Sequence, residues 1–193
     1  TVIVDGVKTI ATAATEAGSG FEAAMSQVAA TMGMTKEEVA SGSKAYTLLA
    51  EAAKQCGKTT MFSASEAAEA LNYLALAGYD AQKAAATLPK VLDLAAAGGL
   101  DLAYASDLVT DSMAALGMET NELDSYIDSM ARTSQKSNTS VAQLGEATLV
   151  CAGTVSLAGQ SIGTMNTLLG VLANNGIKGA EGGTHFRNVI LSL

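Results

Sequence analysis

The fold of this chain is decided by segments such as residues 63–78, which read SASEAAEALNYLALAG. Ser63 and Glu66 have the spacing of a capping box, in which a hydroxyl and a carboxylate each accept a hydrogen bond from an amide at a helix start. The interior is rich in alanine, which has high helix propensity because it loses no side-chain entropy. Gly78 suits the residue after the last helical turn, where the backbone becomes left-handed. The stretch therefore predicts one complete helix.

Similar start and stop signals recur along the chain. A capping box at Thr35–Glu38 predicts a helix that ends at Cys56–Gly57. Pro89 is expected to divide the helix that follows Asp80, because proline suits a first turn and not an interior. The polar segment Arg132–Asn138 predicts a linker. The remaining starts and breaks are Asp101, Thr120, Ser140 and Ser161, and Gly98–Gly99, Gly117, Gly159 and Asn174–Gly176.

These signals predict an all-α fold of roughly eight or nine short helices packed as antiparallel hairpins. The 193 residues include 37 alanines, and only 4% are aromatic, so the core should be shallow. An apolar stripe of Phe21, Met25, Val28 and Met32 marks a helix near the N-terminus. Val2-Ile3-Val4 is the one strand-like run, and it is short. We divide the chain into an N-terminal helical region, 1–60, and a helical core, 61–193, which together could form one domain.

Composition excludes several classes of protein. The mean hydropathy of +0.27 argues against disorder. Two cysteines, Cys56 and Cys151, are too few for a disulfide scaffold and are expected to be buried thiols. The formal charge of −8 argues against direct nucleic-acid binding, since phosphate would be repelled over most of the surface. The chain lacks an initiator Met and a signal peptide, and we expect it to be part of a longer protein.

Two motifs suggest catalysis or nucleotide binding, but their context does not support either. Gly57-Lys58-Thr59 resembles the end of a phosphate-binding loop, yet Ala52 stands where the motif requires glycine. The run 159–163, GQSIG, matches a nucleophile elbow centred on Ser161, with Glu181 and His185 following in order. That chemistry requires a strand-to-helix turn beside a sheet, and these flanks are helical. Ser161 is therefore interpreted as a helix cap, and no enzymatic activity is expected.

No cofactor or metal site is expected either. His185 is the only histidine, and the cysteines lack the close spacing of zinc ligands. The acidic residues of the central region have helical spacing rather than the spacing of a calcium loop, so we interpret them as a solvated face. They are Asp107, Asp111, Glu119, Glu122, Asp124 and Asp128.

Residues 147–177 carry no charged side chain. The stretch is long enough to span a bilayer, but its polar residues and glycines interrupt any apolar run. We expect a buried helical hairpin, with an oligomer contact as the alternative and no membrane contact. Gly159 and Gly163 have the spacing that permits close helix approach.

The most unusual segment is the tail 176–188, which reads GIKGAEGGTHFRN. Its glycines predict a tight exposed turn around Lys178. Gly183 and Thr184 would then begin a helix with Phe186 and Ile190 facing inward and Arg187 outward. The residues alone indicate a shaped turn and not an active site.

The order of motifs from about Ala45 to Leu193 resembles phage tail tape measure proteins of long-tailed phages and prophages of Gram-positive bacteria. The tail resembles that family's Asn-Gly-Ile, Lys, Gly-Ala, Gly-Thr and hydrophobic-Arg pattern. Further upstream, residues 59–68 resemble the family's entry into a helix, and residues 74–79 resemble its helix end. Glu181 and His185 depart from the pattern, where smaller residues are typical. The matching positions are Thr60, Phe62, Glu66, Gly78, Gly176, Lys178, Gly179, Gly183, Thr184 and Arg187.

The resemblance implies a structural protein of the virion tail that helps to set tail length and assembly inside the tail tube. It implies self-association, contacts with the tail tube protein and tail assembly chaperones, and a passage through the host cytoplasm during assembly. A helix advances 1.5 Å per residue, so a chain of fixed length can measure a fixed distance. The alternative is an unrelated α-helical interaction or scaffold domain. The sequence leaves open whether the segment is part of the ruler or a folded assembly domain.

Overall fold

The computed structural model describes residues 18–192, and in that range the chain is all-α, as predicted. It forms ten α-helices and one 3-10 turn at Thr120–Glu122, with no strand among the described residues. Nine helices have at least 13 residues, and α2 is a single turn. Val2-Ile3-Val4 lies outside the described residues. The helices are α1 (18–31), α2 (Lys36–Ala40), α3 (Lys44–Thr59), α4 (Ala64–Leu76), α5 (Ala81–Gly98), α6 (Leu102–Leu116), α7 (Leu123–Lys136), α8 (Val141–Leu157), α9 (Ile162–Asn174) and α10 (Gly179–Leu191).

Most of the predicted helix starts are confirmed. Complete capping boxes are present at Thr35, Ser63 and Ser140. The side chains of Asp80, Asp101 and Ser161 accept a hydrogen bond from the amide three residues ahead. The breaks at Gly78, Gly117, Gly159 and Gly176 are also confirmed, since each has a positive φ between 63° and 87°. Local signals, which are capping hydrogen bonds at the starts and left-handed glycines at the ends, therefore determine these boundaries.

Three predicted boundaries are wrong. The helix that begins after Thr35 ends at Ala40, because Gly42 turns left-handed at φ +64° and Ser43 caps a new helix, which runs past Gly57. Pro89 lies inside a continuous α5. Most of the expected linker Arg132–Asn138 is helical, since α7 continues to Lys136.

The described residues fall into two compact units, divided between Pro89 and Lys90. The first unit contains the N-terminal stripe, in which Met25 and Val28 are fully buried and Phe21 and Met32 are half-buried. Its core also contains Leu49, Leu71 and Leu74. The sequence-based division after residue 60 stays a prediction.

In the second unit, α8 is the central helix. It packs against α6, α7, α9 and most extensively α10, and it is apolar on several faces. The expected simple hairpin of α8 and α9 is therefore wrong: α8 pairs chiefly with α10, and α9 pairs chiefly with α7. The glycines of α10 allow its close approach to α8, since a Cβ on Gly183 would meet the α8 backbone.

The core of the second unit includes a pair of buried polar side chains that contact each other. The Tyr126 hydroxyl lies 2.9 Å from the Ser112 Oγ, and both residues are fully buried. Burial raises the pKa of Tyr126 to about 12, against smaller opposing effects of hydrogen bonds with Ser112 and Thr148. These hydrogen bonds satisfy polar atoms that would otherwise destabilise the core.

Candidate functional site

The first group of family-like residues forms the connection between α3 and α4. The Thr60 Oγ1 donates to the Cys56 carbonyl at 2.9 Å and accepts from the Phe62 amide at 3.3 Å. The Glu66 carboxylate accepts from the Ser63 amide at 2.7 Å, which lowers the pKa of Glu66. Thr60 and Glu66 thus fix the path of the chain between the two helices.

Gly57 explains why these helices lie so close together. A Cβ on Gly57 would be 2.6 Å from the Ala64 amide nitrogen and 2.9 Å from its Cα, which is too close for any side chain. The sequence suggested a helix stop or the end of a phosphate-binding loop here. The structure instead places Gly57 inside the last turn of α3, as the contact point with α4.

We expect Gly57→Ala to destabilise the first unit by about 1 to 2 kcal/mol, the usual scale of core overpacking. The clash is with backbone atoms and cannot be relieved by a rotamer change, but it occurs at the end of α3, where a small backbone shift is possible. Urea unfolding followed by circular dichroism measures the change. The control is Gly18→Ala, at a site with nothing within 4 Å of the added Cβ. Equal stabilities of Gly57→Ala and the unsubstituted chain would contradict this role.

The second group of family-like residues forms the start of α10 and its contact with α8. Gly176 ends α9 with φ +87°, and Gly179 begins α10 with φ +55°. Lys178 is the N-cap, although its side chain makes no capping hydrogen bond. A Cβ on Gly179 would lie 2.6 Å from the Glu146 Oε2, so a carboxylate lies at the positive end of the α10 dipole.

The closest approach between α8 and α10 is at Gly183. A Cβ there would lie 2.3 Å from the Ala147 carbonyl oxygen and 2.9 Å from the Val150 Cβ. Gly182 and Gly183 are buried inside α10, which begins at Gly179, so the predicted helix start at Gly183 is wrong. The close contact predicted for Gly159 and Gly163 is wrong as well, since Gly159 ends α8 and Gly163 is exposed.

The other tail residues have ordinary helical environments. Thr184 Oγ1 donates to the Ala180 carbonyl at 2.9 Å. Phe186 is buried, as predicted, and Ile190 and Arg187 are both half-buried. Thr184, Phe186 and Arg187 therefore all lie within the body of α10.

The candidate catalytic residues are engaged in helix structure. Ser161 Oγ accepts from the Thr164 amide at 3.1 Å and lies 2.9 Å from the Thr164 Oγ1, which confirms its role as a cap. His185 Nε2 lies 3.9 Å from the Glu181 Oε1, one turn away on the surface of α10. Nothing in these contacts joins the serine to the histidine as a nucleophile and base.

The ionisable side chains of the described residues lie mostly apart on the surface. Between residues 18 and 192, no three His, Cys, Asp or Glu side chains lie close enough together to hold a metal ion. The acidic residues of α6 and α7 are exposed, as predicted, and two of them pair with Lys90 and Arg132. Cys56 and Cys151 are buried thiols, and burial raises the pKa of Cys151 to about 11.

The surface of the second unit offers an uncharged helix face. Leu168 and Val171 on α9 are 40% and 52% exposed. Beside them, a groove of about 520 Å³ between α7 and α9 is lined by hydroxyl groups and by Asp128, Arg132 and Lys136. None of the helices between residues 18 and 192 combines the length and the apolar character needed to cross a membrane. The orientation of this face could not be predicted, because composition does not show which side of α9 is covered.

Comparisons with known proteins agree on one family. The model of a family described as phage-related minor tail protein matches residues 50–193. A curated protein of Pneumococcus phage Dp-1, named tape measure protein, is 33% identical to the chain over 180 residues. The alignment covers 93% of this chain but 15% of the phage protein, so the chain spans a small part of that relative's length. No solved structure matches the chain.

Proposed function

We infer the function of this chain from its family: the chain belongs to the phage-related minor tail protein family. A structural role in the tail of a phage particle follows from this membership. We propose further that the chain is a segment of a tape measure protein, which helps to set tail length and tail assembly inside the tail tube. The observation that carries this proposal is the 33% identity to a tape measure protein over 93% of the chain.

The fold adds a physical distinction to the proposal. The longest helix, α5, has 18 residues, which is about 27 Å at 1.5 Å per residue. Packed helices of this length span far less than the same chain would as one continuous helix. A ruler function would therefore require the chain to extend, whereas an assembly function would use the folded units.

We propose that the family-like residues serve this fold and not a reaction. Thr60, Phe62 and Glu66 would hold α3 against α4, and Gly179 and Gly183 would hold α10 against α8. We further propose that the chain is not an enzyme, because Ser161 and His185 have separate helical partners. These roles are consistent with a protein that acts through its packing and its surface.

We also propose self-association and contacts with the tail tube protein and tail assembly chaperones. The α9 face with Leu168 and Val171 supports this, because exposed apolar residues on an uncharged face favour protein contacts. The protein would occupy the lumen of the tail tube in the particle and the host cytoplasm during assembly.

The test is an in-frame deletion of Lys90–Leu193, the second unit, in the phage gene, with tail lengths measured by electron microscopy. If the chain acts as an extended helical ruler, we expect tails shorter by about 160 Å, at 1.5 Å for each deleted residue. If the folded unit is needed for assembly, we expect tails to be lost. Tails of normal length with normal infectivity would overturn the proposal.

A point variant separates the two modes. Gly183→Ala disrupts the packing of α8 and α10 but leaves the chain length unchanged. A ruler that works in the extended state should then give tails of normal length, whereas a folded assembly domain should give few or no tails. Gly153→Ala is the control, because its added Cβ meets nothing within 4 Å.

A further inference from the structure

Pro89 occupies an unusual position in the fold. It lies in the middle of α5, which runs without interruption from Ala81 to Gly98. The boundary between the two compact units falls directly after the same residue. One helix therefore contributes residues to both units, and its proline stands at the division.

Proline weakens a helix at this point for two reasons. It has no amide hydrogen, so the Ala85 carbonyl cannot receive its helical hydrogen bond from residue 89, and the ring crowds that carbonyl. Thr87, between the two, is fully buried, and its Oγ1 has no hydrogen-bond partner. One turn of α5 thus lacks one helical backbone hydrogen bond and contains one buried hydroxyl without a partner, and both features weaken the helix locally.

The two halves of α5 are each anchored by buried side chains. Ala84 and Leu88 are fully buried before the proline, and Leu92 and Leu94 are fully buried after it. Lys90 also pairs with Asp124 of α7, within the second unit. The turn of α5 that ends at Pro89 is therefore flanked by two half-helices, each anchored by buried side chains.

We propose that Pro89 is a break point that allows the two units to unfold one at a time, the first unit before the second. The order follows from size. The described part of the first unit, 18–89, has 72 residues and that of the second, 90–192, has 103, and a larger unit buries a larger share of its surface on folding. This break point does not depend on the proposed tail function. It gives a chain under tension two small unfolding steps instead of one large step.

The chain contains its own probes for this inference. Cys56 lies in the first unit and Cys151 in the second, and both thiols are buried. A thiol-specific reagent labels a buried cysteine only when the surrounding unit opens. We expect the urea midpoint for labelling of Cys56 to be lower than the midpoint for Cys151, with the two sites resolved by mass spectrometry.

The variant Pro89→Ala tests the role of the proline. Alanine restores the missing amide and has the highest helix propensity, so the two halves of α5 should unfold together. We expect the gap between the two midpoints to shrink by at least half. The control is Asp93→Ala, which raises helix propensity at an exposed position of the same helix but leaves the break unchanged. It should preserve the gap.

Native-state hydrogen exchange of the unsubstituted chain gives an independent measurement. We expect the amides of residues 85–88 to exchange at least tenfold faster than those of residues 92–95. Coincident labelling midpoints in the unsubstituted chain would overturn the inference. So would an unchanged gap in Pro89→Ala, an equal effect of Asp93→Ala, or uniform exchange along α5.

Discussion

Gly183→Ala is expected to destabilise the second unit by about 2 to 3 kcal/mol, towards the upper end of the usual cost of overpacking. In an ordinary helix interior, the same substitution stabilises by about 1 kcal/mol, because alanine loses less backbone entropy than glycine. At Gly183 the added Cβ would lie 2.3 Å from the Ala147 carbonyl oxygen, so α10 must move away from α8. The loss of contact along the whole helix pair outweighs the gain in propensity.

The identity of the obstructing atom decides the size of this effect. A Cβ on Gly145 would also be crowded, at 2.5 Å, but by the end of the Leu108 side chain, which can adopt another rotamer. The Ala147 carbonyl belongs to the backbone of α8 and has no such freedom. We therefore expect a larger loss of stability at Gly183 than at Gly145.

The measurement is urea unfolding, followed by the labelling of Cys151, which reports on the second unit. Gly153→Ala is the matched control, since it makes the same substitution within α8 at a site where nothing lies within 4 Å of the new Cβ. It should stabilise the unit by up to about 1 kcal/mol. Effects of the same sign at both glycines would show that the α8–α10 contact does not require glycine.

Much of the fold could be predicted because the signals for helix starts are local. Ser63 with Glu66, and Ser140 with Gln143, each make their capping bonds within four residues of sequence. Glycines such as Gly78 and Gly117 end helices through their own backbone conformation. A single sequence contains all the information needed for such features.

The packing glycines could not be predicted in the same way. In the sequence, Gly57 and Gly183 look the same as the glycines that end helices. Their role depends on contacts with Ala64 and Ala147 in neighbouring helices. The spacing of Gly179 and Gly183, four residues apart on one helix face, was a usable signal. Gly159 and Gly163 have the same spacing, so spacing alone does not distinguish a packing pair from a glycine at a helix end.

Pro89 does not divide its helix as predicted, for a related reason. The local rule that proline ends a helix is correct about its energetic effect, but buried residues on both sides, such as Leu88 and Leu92, hold α5 together. Tertiary packing overrides local preference here.

The family could be recognised because the order of several weak motifs along the chain is more specific than any one of them.

Alkaline pH is expected to destabilise the second unit through Tyr126. Burial favours the neutral phenol, so the folded protein keeps this proton up to about pH 12, whereas the unfolded chain releases it near pH 10. Between these values the unfolded state binds fewer protons, and the free energy of unfolding therefore falls as the pH rises. The loss from this one group approaches about 2 to 3 kcal/mol at pH 12. Below pH 10 the contribution is constant.

The variant Tyr126→Phe isolates this contribution. It should cost about 1 kcal/mol at pH 7, because the buried Ser112 hydroxyl loses its partner. It should also remove about half of the additional loss between pH 10 and 12. The rest belongs to Cys151, whose pKa burial raises to about 11, and to Tyr104, whose pKa burial also raises. Urea midpoints at pH 8, 10, 11 and 12 measure the difference, with Tyr73→Phe, in the first unit, as the control that keeps the full alkaline loss. An identical pH dependence for Tyr126→Phe and the unsubstituted chain would show that the phenol is hydrated in the folded state, and that the core around α8 is more open than its packing indicates.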